Sequence, residues 1–543
     1  MEKSKIKYFL FSLPPIITFL IIFFYNAVNI PYGDDWSVLH LFTFWDDLSF
    51  VEKINAIFKQ HNEHRIVFTR ILGLVQLKII GHIDVRWWML AGNFGYLLIF
   101  YIEYQYLKRK DLLELLPILS LLLFAPFSYS NIFNGMQNSN TLFIAFSIAL
   151  IYSTMFVKRT WVIFVLAFLV MFTNGGGLFT LIVSISILNY RRQYNLSLIF
   201  GVYSLCLTII YFWDFHSILY HPSPVRTLLE FPFRTALFIP FFVGGIGKIP
   251  IVIGSMGCMS IALTLYYIFT KKPLPIFIVG VMAFILFIAI SAALNRSMFG
   301  LGMAYSNRYK IYSQVFISFF IIWNYTNIER SSWKKYFYIS VLAISFFLFI
   351  DQSFIKKNYL SNKELVVSNF YNWYRTGHFL TDKTTTQIVK SLIEKSIYLV
   401  PSDLPESKSK ESLLTFNNEN SGKIPLSKIN FNILEYIKTS DQLLKLTIEE
   451  KSGLLSESMF VYLIFKKKGE ELPISYYKNS NSYLFNLRLL PTFGTDVPNR
   501  LSAIINTSKF KSSEYQVYLK LVNDKILDND WVLIGTFDQT SRD

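Results

Sequence analysis

The sequence predicts an α-helical polytopic membrane protein of about eleven transmembrane helices, followed by an extracytoplasmic C-terminal domain that is mainly β and sandwich-like. Three observations carry this prediction. The 543-residue chain is 53% hydrophobic and 18% aromatic, well above a soluble domain. Most of its apolar runs reach the roughly 18 residues that span a bilayer as a helix. After Asp351 charged and polar residues rise, and short apolar stretches begin to alternate between turn signals.

The apolar runs fall at 8–30, 86–107, 111–130, 139–157, 160–174, 177–190, 196–213, 250–270, 274–293, 309–327 and 335–352. The first follows Lys3, Lys5 and Lys7, as a signal peptide would. It lacks a small-residue cleavage site and many spans follow it, so it is expected to stay as an anchor. Segments 66–82 and 236–249 are apolar but short or broken by Gly and Pro, and are expected to be helices or loops at the outer interface, with a further span as the alternative for either. Alternate connections carry Lys108-Arg109-Lys110, Lys158-Arg159, Arg191-Arg192, Lys271-Lys272 and Arg330 with Lys334-Lys335. By the positive-inside rule these are cytoplasmic, together with the N-terminus.

The remaining connections are then external: 31–85, 131–138, a turn at Asn174-Gly175-Gly176-Gly177, 214–249 and 294–308. An odd number of spans places everything after about residue 353 outside as well. The expected domains are a membrane domain over 1–352 with first external loop 31–85, a helical linker over 353–399 and the β domain over 400–543. In that last domain Leu443–Ile448, Phe460–Phe465, Tyr515–Leu519 and Trp531–Ile534 read as strands, and 406–412 as a solvated loop.

The net charge of +16 resides largely in the short clusters between apolar runs, with no basic helix or RNA-type motif, so nucleic acid is not an expected partner. Cys206 and Cys258 are the only cysteines and both lie inside apolar runs, which leaves neither a disulfide framework nor a cysteine metal site.

The polar clusters collect on the expected external side. Asp34 and Asp35, in Tyr32-Gly33-Asp34-Asp35-Trp36, stand directly after the first span, where a carboxylate is costly without a partner or a function. They fit a general base or a metal ligand; they also fit a helix cap or a salt bridge with Arg65. His61 and His64 flank Asn62 and Glu63 at a spacing compatible with a divalent metal, and equally with substrate contact or a structural role. Arg65 and Arg70 suit a phosphate, by guanidinium geometry.

The segment from Asn295 to Lys310 places Arg296, Arg308 and Tyr309 at the expected outer mouth of two helices, as a phosphate clamp or as snorkelling side chains. Asn134, Gln137, Asn138 and Asn174 would hydrogen-bond a sugar or cap helix ends. Six of the seven histidines, His40, His61, His64, His82, His216 and His221, also fall in these loops, and His378 follows the last span.

With Asp34-Asp35 in the first external loop, a multi-span body, an interfacial helix after the motif and an external tail domain, the chain resembles the GT-C class of integral-membrane glycosyltransferases. Gln60-His61-Asn62-Glu63-His64-Arg65 and the Arg296–Tyr309 segment also look like those of bacterial multi-span proteins of this class. The resemblance implies a sugar transferred from a polyprenyl-phosphate donor to a cell-envelope glycan, lipid or teichoic-acid-like acceptor, at the outer face of a bacterial cytoplasmic membrane.

It makes Asp34 or Asp35 the base, with His61, Asn62, Glu63, His64, Arg65, Asn138, Asn174, Arg296, Arg308 and Tyr309 as substrate-binding residues. It makes no cofactor certain, and leaves open a divalent cation, Mg or Mn, held by Asp34 and Asp35. With no evident second carboxylate as nucleophile, inversion is the simpler stereochemistry. The chain lacks the Trp-Trp-Asp signature of oligosaccharyltransferases in its tail, which disfavours Asn-linked glycosylation. The alternatives are a transporter or flippase for a lipid-linked glycan, or a non-catalytic envelope-assembly scaffold.

Overall fold

The computed structural model describes residues 2–216, 223–247, 249–271, 273–360 and 383–401, five positions between 362 and 370, and seven strand segments between 431 and 539. His221, Lys272, His378, the 406–412 segment and much of the expected linker after 360 lie outside the described residues. By contacts the chain divides into one unit of Met1–Ala27 with Pro31–Lys357 and another of Val28–Ile30 with Asn358–Asp543.

The first unit is helical. Helix α1 (Glu2–Asn26) carries Pro14 and Pro15 within an apolar stretch, which a membrane helix accommodates by local adjustment of its backbone bonds. Three short helices follow, α2 (Asp35–Thr43), α3 (Phe50–Phe58) and α4 (Val67–Ile80). A capping box starts α3: Glu52 N–H donates to Ser49 Oγ, and Ser49 N–H donates to the Glu52 carboxylate at 2.8 Å. Gly81, at φ 83°, ends α4 in the left-handed conformation that glycine adopts without penalty. At 14 residues α4 is roughly 21 Å long, short of a bilayer core.

Then come α5 (Val85–Lys110), α6 (Leu116–Leu123), α7 (Tyr129–Phe133), α8 (Asn138–Phe156), α9 (Trp161–Thr173), α10 (Gly177–Tyr190) and α11 (Tyr194–Phe212). The unit finishes with α12 (Pro224–Glu230), α13 (Pro232–Val243), α14 (Pro250–Thr270), α15 (Ile276–Arg296), α16 (Lys310–Asn327) and α17 (Ser331–Ile350). Among the described residues six helical stretches are long and apolar enough to cross a membrane: Ile6–Asn26, Asn138–Phe156, Tyr194–Phe212, Pro250–Thr270, Ile276–Phe299 and Ser331–Leu360. Leu113–Leu123, Trp161–Thr173, Gly177–Tyr190 and Pro232–Val243 are apolar but shorter.

Burial sorts the long helices into layers. In α8 72% of the apolar stretch is buried against other helices, whereas in α1, α11, α14 and α17 only 28% is. The outer helices therefore show large side chains such as Phe24, Leu198, Trp213 and Phe269 to their surroundings, a surface suited to lipid rather than to water.

One apolar segment differs from its expected form. The 111–130 run is not one helix: α6 stops at Leu123, ahead of Pro126, whose ring disfavours helical backbone at the preceding residue. The carbonyls freed there are taken by Gln314 of α16, whose amide donates to Leu122 O at 2.7 Å, Ala125 O at 3.0 Å and Leu123 O at 3.2 Å. The 236–249 segment is the end of α13 and the turn after it. Gly257 of α14 lets the Pro240 carbonyl of α13 come so close that any side chain there would collide with it.

In the second unit an amphipathic helix, α18 (Lys383–Glu394), buries Val389 and Leu392, and the Tyr398 hydroxyl donates to Asn29 O at 2.7 Å. Seven strands follow: β1 (Phe431–Lys438), β2 (Leu443–Glu450), β3 (Phe460–Lys467), β4 (Ser475–Asn479), β5 (Arg500–Asn506), β6 (Ser513–Val522) and β7 (Trp531–Gln539). They form two antiparallel sheets, ordered β1-β2-β5 and β4-β3-β6-β7. Register pairs Leu446 with Ala503 and Leu463 with Leu519, and the ladder shifts between Val517 and Tyr518.

Candidate functional site

The polar loops of the first unit converge. Gly33, at φ 58°, turns the chain so that Asp34 and Asp35 open α2, and the two aspartates then have different surroundings. Asp35 is 1% exposed: its Oδ2 accepts the Tyr32 N–H at 2.9 Å and its Oδ1 accepts the Met136 N–H at 2.5 Å. Burial pushes its carboxyl up to about 6, against the opposing pull of the Tyr32, Met136 and Gly135 backbone donors; the charge of Asp34 adds a smaller upward push. Asp34 is exposed, and its carboxylate has no hydrogen-bond or ion-pair partner among the described residues.

Asp34 does not cap α2 with its side chain, and neither aspartate pairs with Arg65. Nor do the two carboxylates share one environment, since Asp35 is 1% exposed and Asp34 is exposed. Among the described residues no three His, Cys, Asp or Glu side chains gather as a ligand set.

His61 and His64 close a tight turn by exchanging backbone bonds, His61 N–H to His64 O at 2.7 Å and His64 N–H to His61 O at 2.9 Å. Asn62 sits at the tip with φ 49°, a conformation asparagine tolerates, and is exposed. Burial lowers the His61 pKa, the Asp34 charge raises it and the Arg70 charge lowers it; the buried Nε2 of His61 has no hydrogen-bond partner among the described residues. His64 is held down to about 4, first by burial, with the Arg296, His61 and Arg308 charges acting in the same direction and Glu63 opposing. It is therefore neutral at pH 7. Its Nδ1 accepts the Gly175 N–H at 3.2 Å, which assigns the ring proton to Nε2.

The cations divide by role. Arg65 is 4% exposed, with Nε donating to Tyr211 O at 2.6 Å and its terminal nitrogens bound to Phe58 O and to the Asp214 carboxylate. These bonds fasten the first loop to the end of α11. Arg70, on α4, likewise binds the carbonyls of Ile57 and Lys59. Arg296 pairs with Glu63 at 2.7 Å.

Arg308 has no carboxylate partner among the described residues. Its guanidinium lies over the Tyr309 ring at 5.1 Å, and that ring in turn packs on Phe242 at 5.3 Å. Its loop is pinned to α7, where Asn131 Nδ2 donates to Arg308 O at 2.9 Å and Ser130 Oγ to Asn307 Oδ1 at 2.6 Å.

Of the amides, Asn138 is fully buried, accepts from Thr69 Oγ1 at 2.7 Å and packs under Gly92, and its Nδ2 has no hydrogen-bond partner among the described residues. Asn174 donates to Asn140 Oδ1 at 2.9 Å, and Asn140 donates to Gln137 at 2.5 Å, a relay across the ends of α8 and α9. Gly175 is required here, because a Cβ would lie 2.6 Å from His64 Nδ1 and 3.1 Å from the Tyr211 hydroxyl.

Sequence reasoning did not identify Asp214, Tyr211, Asn140 or the Gly135–Met136 backbone donors. Only Asp214 left a signal, as a charge directly after the apolar run that ends at Trp213. The others are ordinary residues made important by distant partners. Compared with known proteins, the chain matches no family model, no curated protein and no solved structure.

Proposed function

We propose that this protein is a membrane glycosyltransferase that moves a sugar from a polyprenyl-phosphate donor to a hydroxyl of a cell-envelope glycan, lipid or teichoic-acid-like acceptor. One observation carries the reading: an unpaired carboxylate and an unpaired guanidinium act on the same short turn. Asp34 acts on His61 and Arg308 acts on His64, and those two histidines are joined by their backbones.

In this reading Asp34 takes the proton of the acceptor hydroxyl as its oxygen attacks the anomeric carbon. The bond from that carbon to the phosphate oxygen breaks with inversion, and the lipid phosphate leaves carrying the electron pair. Arg308 stabilises the charge that develops on it, with Arg296, already neutralised in part by Glu63, beside it. Neutral His64 offers its Nε2–H to the donor or acceptor, Asn62 and Asn174 border the same space, and Tyr309 positions Arg308.

Asp34 rather than Asp35 takes the role of base in this reading, because Asp35 is 1% exposed and braces two loops through the Tyr32 and Met136 backbones, while Asp34 is exposed. Eleven crossings belong to this reading: six of the apolar runs fall on helices long and apolar enough to span, α1, α8, α11, α14, α15 and α17, and the other five fall on α5, α6, α9, α10 and α16. The arrangement proposed has the N-terminus in the cytoplasm of a bacterial cell, the Asp34 cluster outside, and the two sheets of the tail forming a β-sandwich domain on that outer side.

The decisive experiment reconstitutes the full chain in liposomes with a polyprenyl-phosphate sugar and an acceptor glycan. Transfer by the wild type and loss of at least a hundredfold in Asp34→Asn is expected; lipid scrambling with no sugar transfer would instead identify a flippase.

A further inference from the structure

Three helices that end at the Asp34–Arg308 cluster have their opposite ends at a second site. Helices α8, α9 and α10 begin or finish at Asn138, Asn174 and Gly177 near that cluster, and their far ends lie roughly 18–27 Å away at 1.5 Å per residue. There, together with the start of α11, they surround a cavity of ≈ 370 Å³. Lys158, Thr160, Arg191 and Gln193 line it on one side, and Ile163 and Leu188 supply apolar wall.

The charge in this cavity is one-sided. Arg191 is half-buried and fixed by a 2.5 Å hydrogen bond from Nη1 to Thr154 O, and its other donors have no partner among the described residues. Lys158 has no ion pair among them either, and none of the described lining residues is acidic. Thr160 and Gln193 are the residues at which α9 and α11 begin, so two helix N-termini, the positive ends of their dipoles, stand at the wall. Two cations, hydroxyl and amide donors and an apolar floor are the recognition chemistry of a phosphate ester attached to something greasy or small.

We infer that this cavity binds a phosphate ester, either the headgroup of an anionic lipid or a soluble phosphate-bearing molecule, at a site separate from the Asp34 cluster. The site does not depend on the transferase reading. It is tested on the purified full-length protein in neutral detergent, with phosphatidylglycerol and sn-glycerol 3-phosphate as probes, read by native mass spectrometry and by the melting midpoint.

At least one probe binds the wild type, and binding weakens about tenfold or more in Lys158→Gln/Arg191→Gln. Lys158→Gln alone weakens it severalfold while Lys158→Arg retains it, which keeps the test valid if Arg191→Gln does not fold. Retention of phosphatidylglycerol alone assigns a lipid headgroup; retention of glycerol 3-phosphate assigns a soluble ester. Failure of both probes to bind the wild type, or equal binding by wild type and Lys158→Gln, overturns the proposal.

Discussion

The Asp35 carboxylate accepts the Met136 backbone N–H at 2.5 Å across 101 residues of sequence, tying the start of α2 to the turn that leads into α8. The same carboxylate holds Tyr32 N–H on its own side. Asp35 is therefore a brace between two loops, and its neighbour Asp34 is left as the exposed carboxylate. The two positions should separate in experiment.

Asp35→Ala removes the acceptor from two backbone donors, a change worth about 1–3 kcal/mol for each buried group left unsatisfied. The melting midpoint of the purified protein should fall by several degrees. Asp34→Asn should leave that midpoint within a degree of wild type while abolishing transfer. A midpoint loss in Asp34→Asn equal to that of Asp35→Ala would show that the two aspartates share one structural role.

The pH dependence follows from the raised Asp35 pKa. An unfolded aspartate titrates near 3.9, and in the folded protein burial moves Asp35 to about 6. Between those values the folded state binds the proton more tightly, so this contribution is complete below about pH 4 and is lost as the pH rises through about 6. Melting curves from pH 4 to 7.5 should show a downward component in the wild type that is missing in Asp35→Asn.

Gly175 and Gly33 differ in why they are glycine. At Gly175 a Cβ would press on His64 Nδ1 at 2.6 Å, so Gly175→Ala should displace the imidazole and cut transfer by at least tenfold. At Gly33 nothing lies within 4 Å of the added carbon, and only the φ of 58° resists. Gly33→Ala should cost about 1–2 kcal/mol of stability and spare more activity than Gly175→Ala. The reverse order of activities would rule out His64 as a ligand contact.

Two arginines should show opposite phenotypes. Arg65→Gln breaks buried hydrogen bonds to Tyr211 and Phe58 together with the Asp214 contact, and should lower expression and melting midpoint. Arg308→Gln should keep both and lose transfer, with Arg308→Lys restoring a part, because an ammonium supplies the charge without the forked geometry. Full activity in Arg308→Gln would remove the leaving-group role.

Glu103 lies fully buried on α5, and neither carboxylate oxygen has a hydrogen-bond partner among the described residues. Burial of an unpaired acid is costly, so Glu103→Gln, which keeps the shape without the charge, should hold or raise the melting midpoint, while Glu103→Lys should prevent accumulation. A large loss in Glu103→Gln would show that the acid itself is required.

Hydrophobic run length and local caps are properties of contiguous residues, and these were legible in the sequence. The apolar runs carry helices, the short 66–82 segment is a 14-residue helix, and four of the seven strands lie where alternation was read. The cluster was legible as a set of loops: His61, Glu63, Arg296 and Arg308 all bear on His64, and Glu63 pairs with Arg296. The division of labour within it was not. Asp34 and Asp35 are chemically identical neighbours, as are Arg65 and Arg308 in type, and each is made structural or available by partners 101 to 177 residues away. A charge's local sequence fixes its proximity to the membrane edge; only the packed structure decides whether its hydrogen-bonding capacity is already used, because the groups that use it come from other helices.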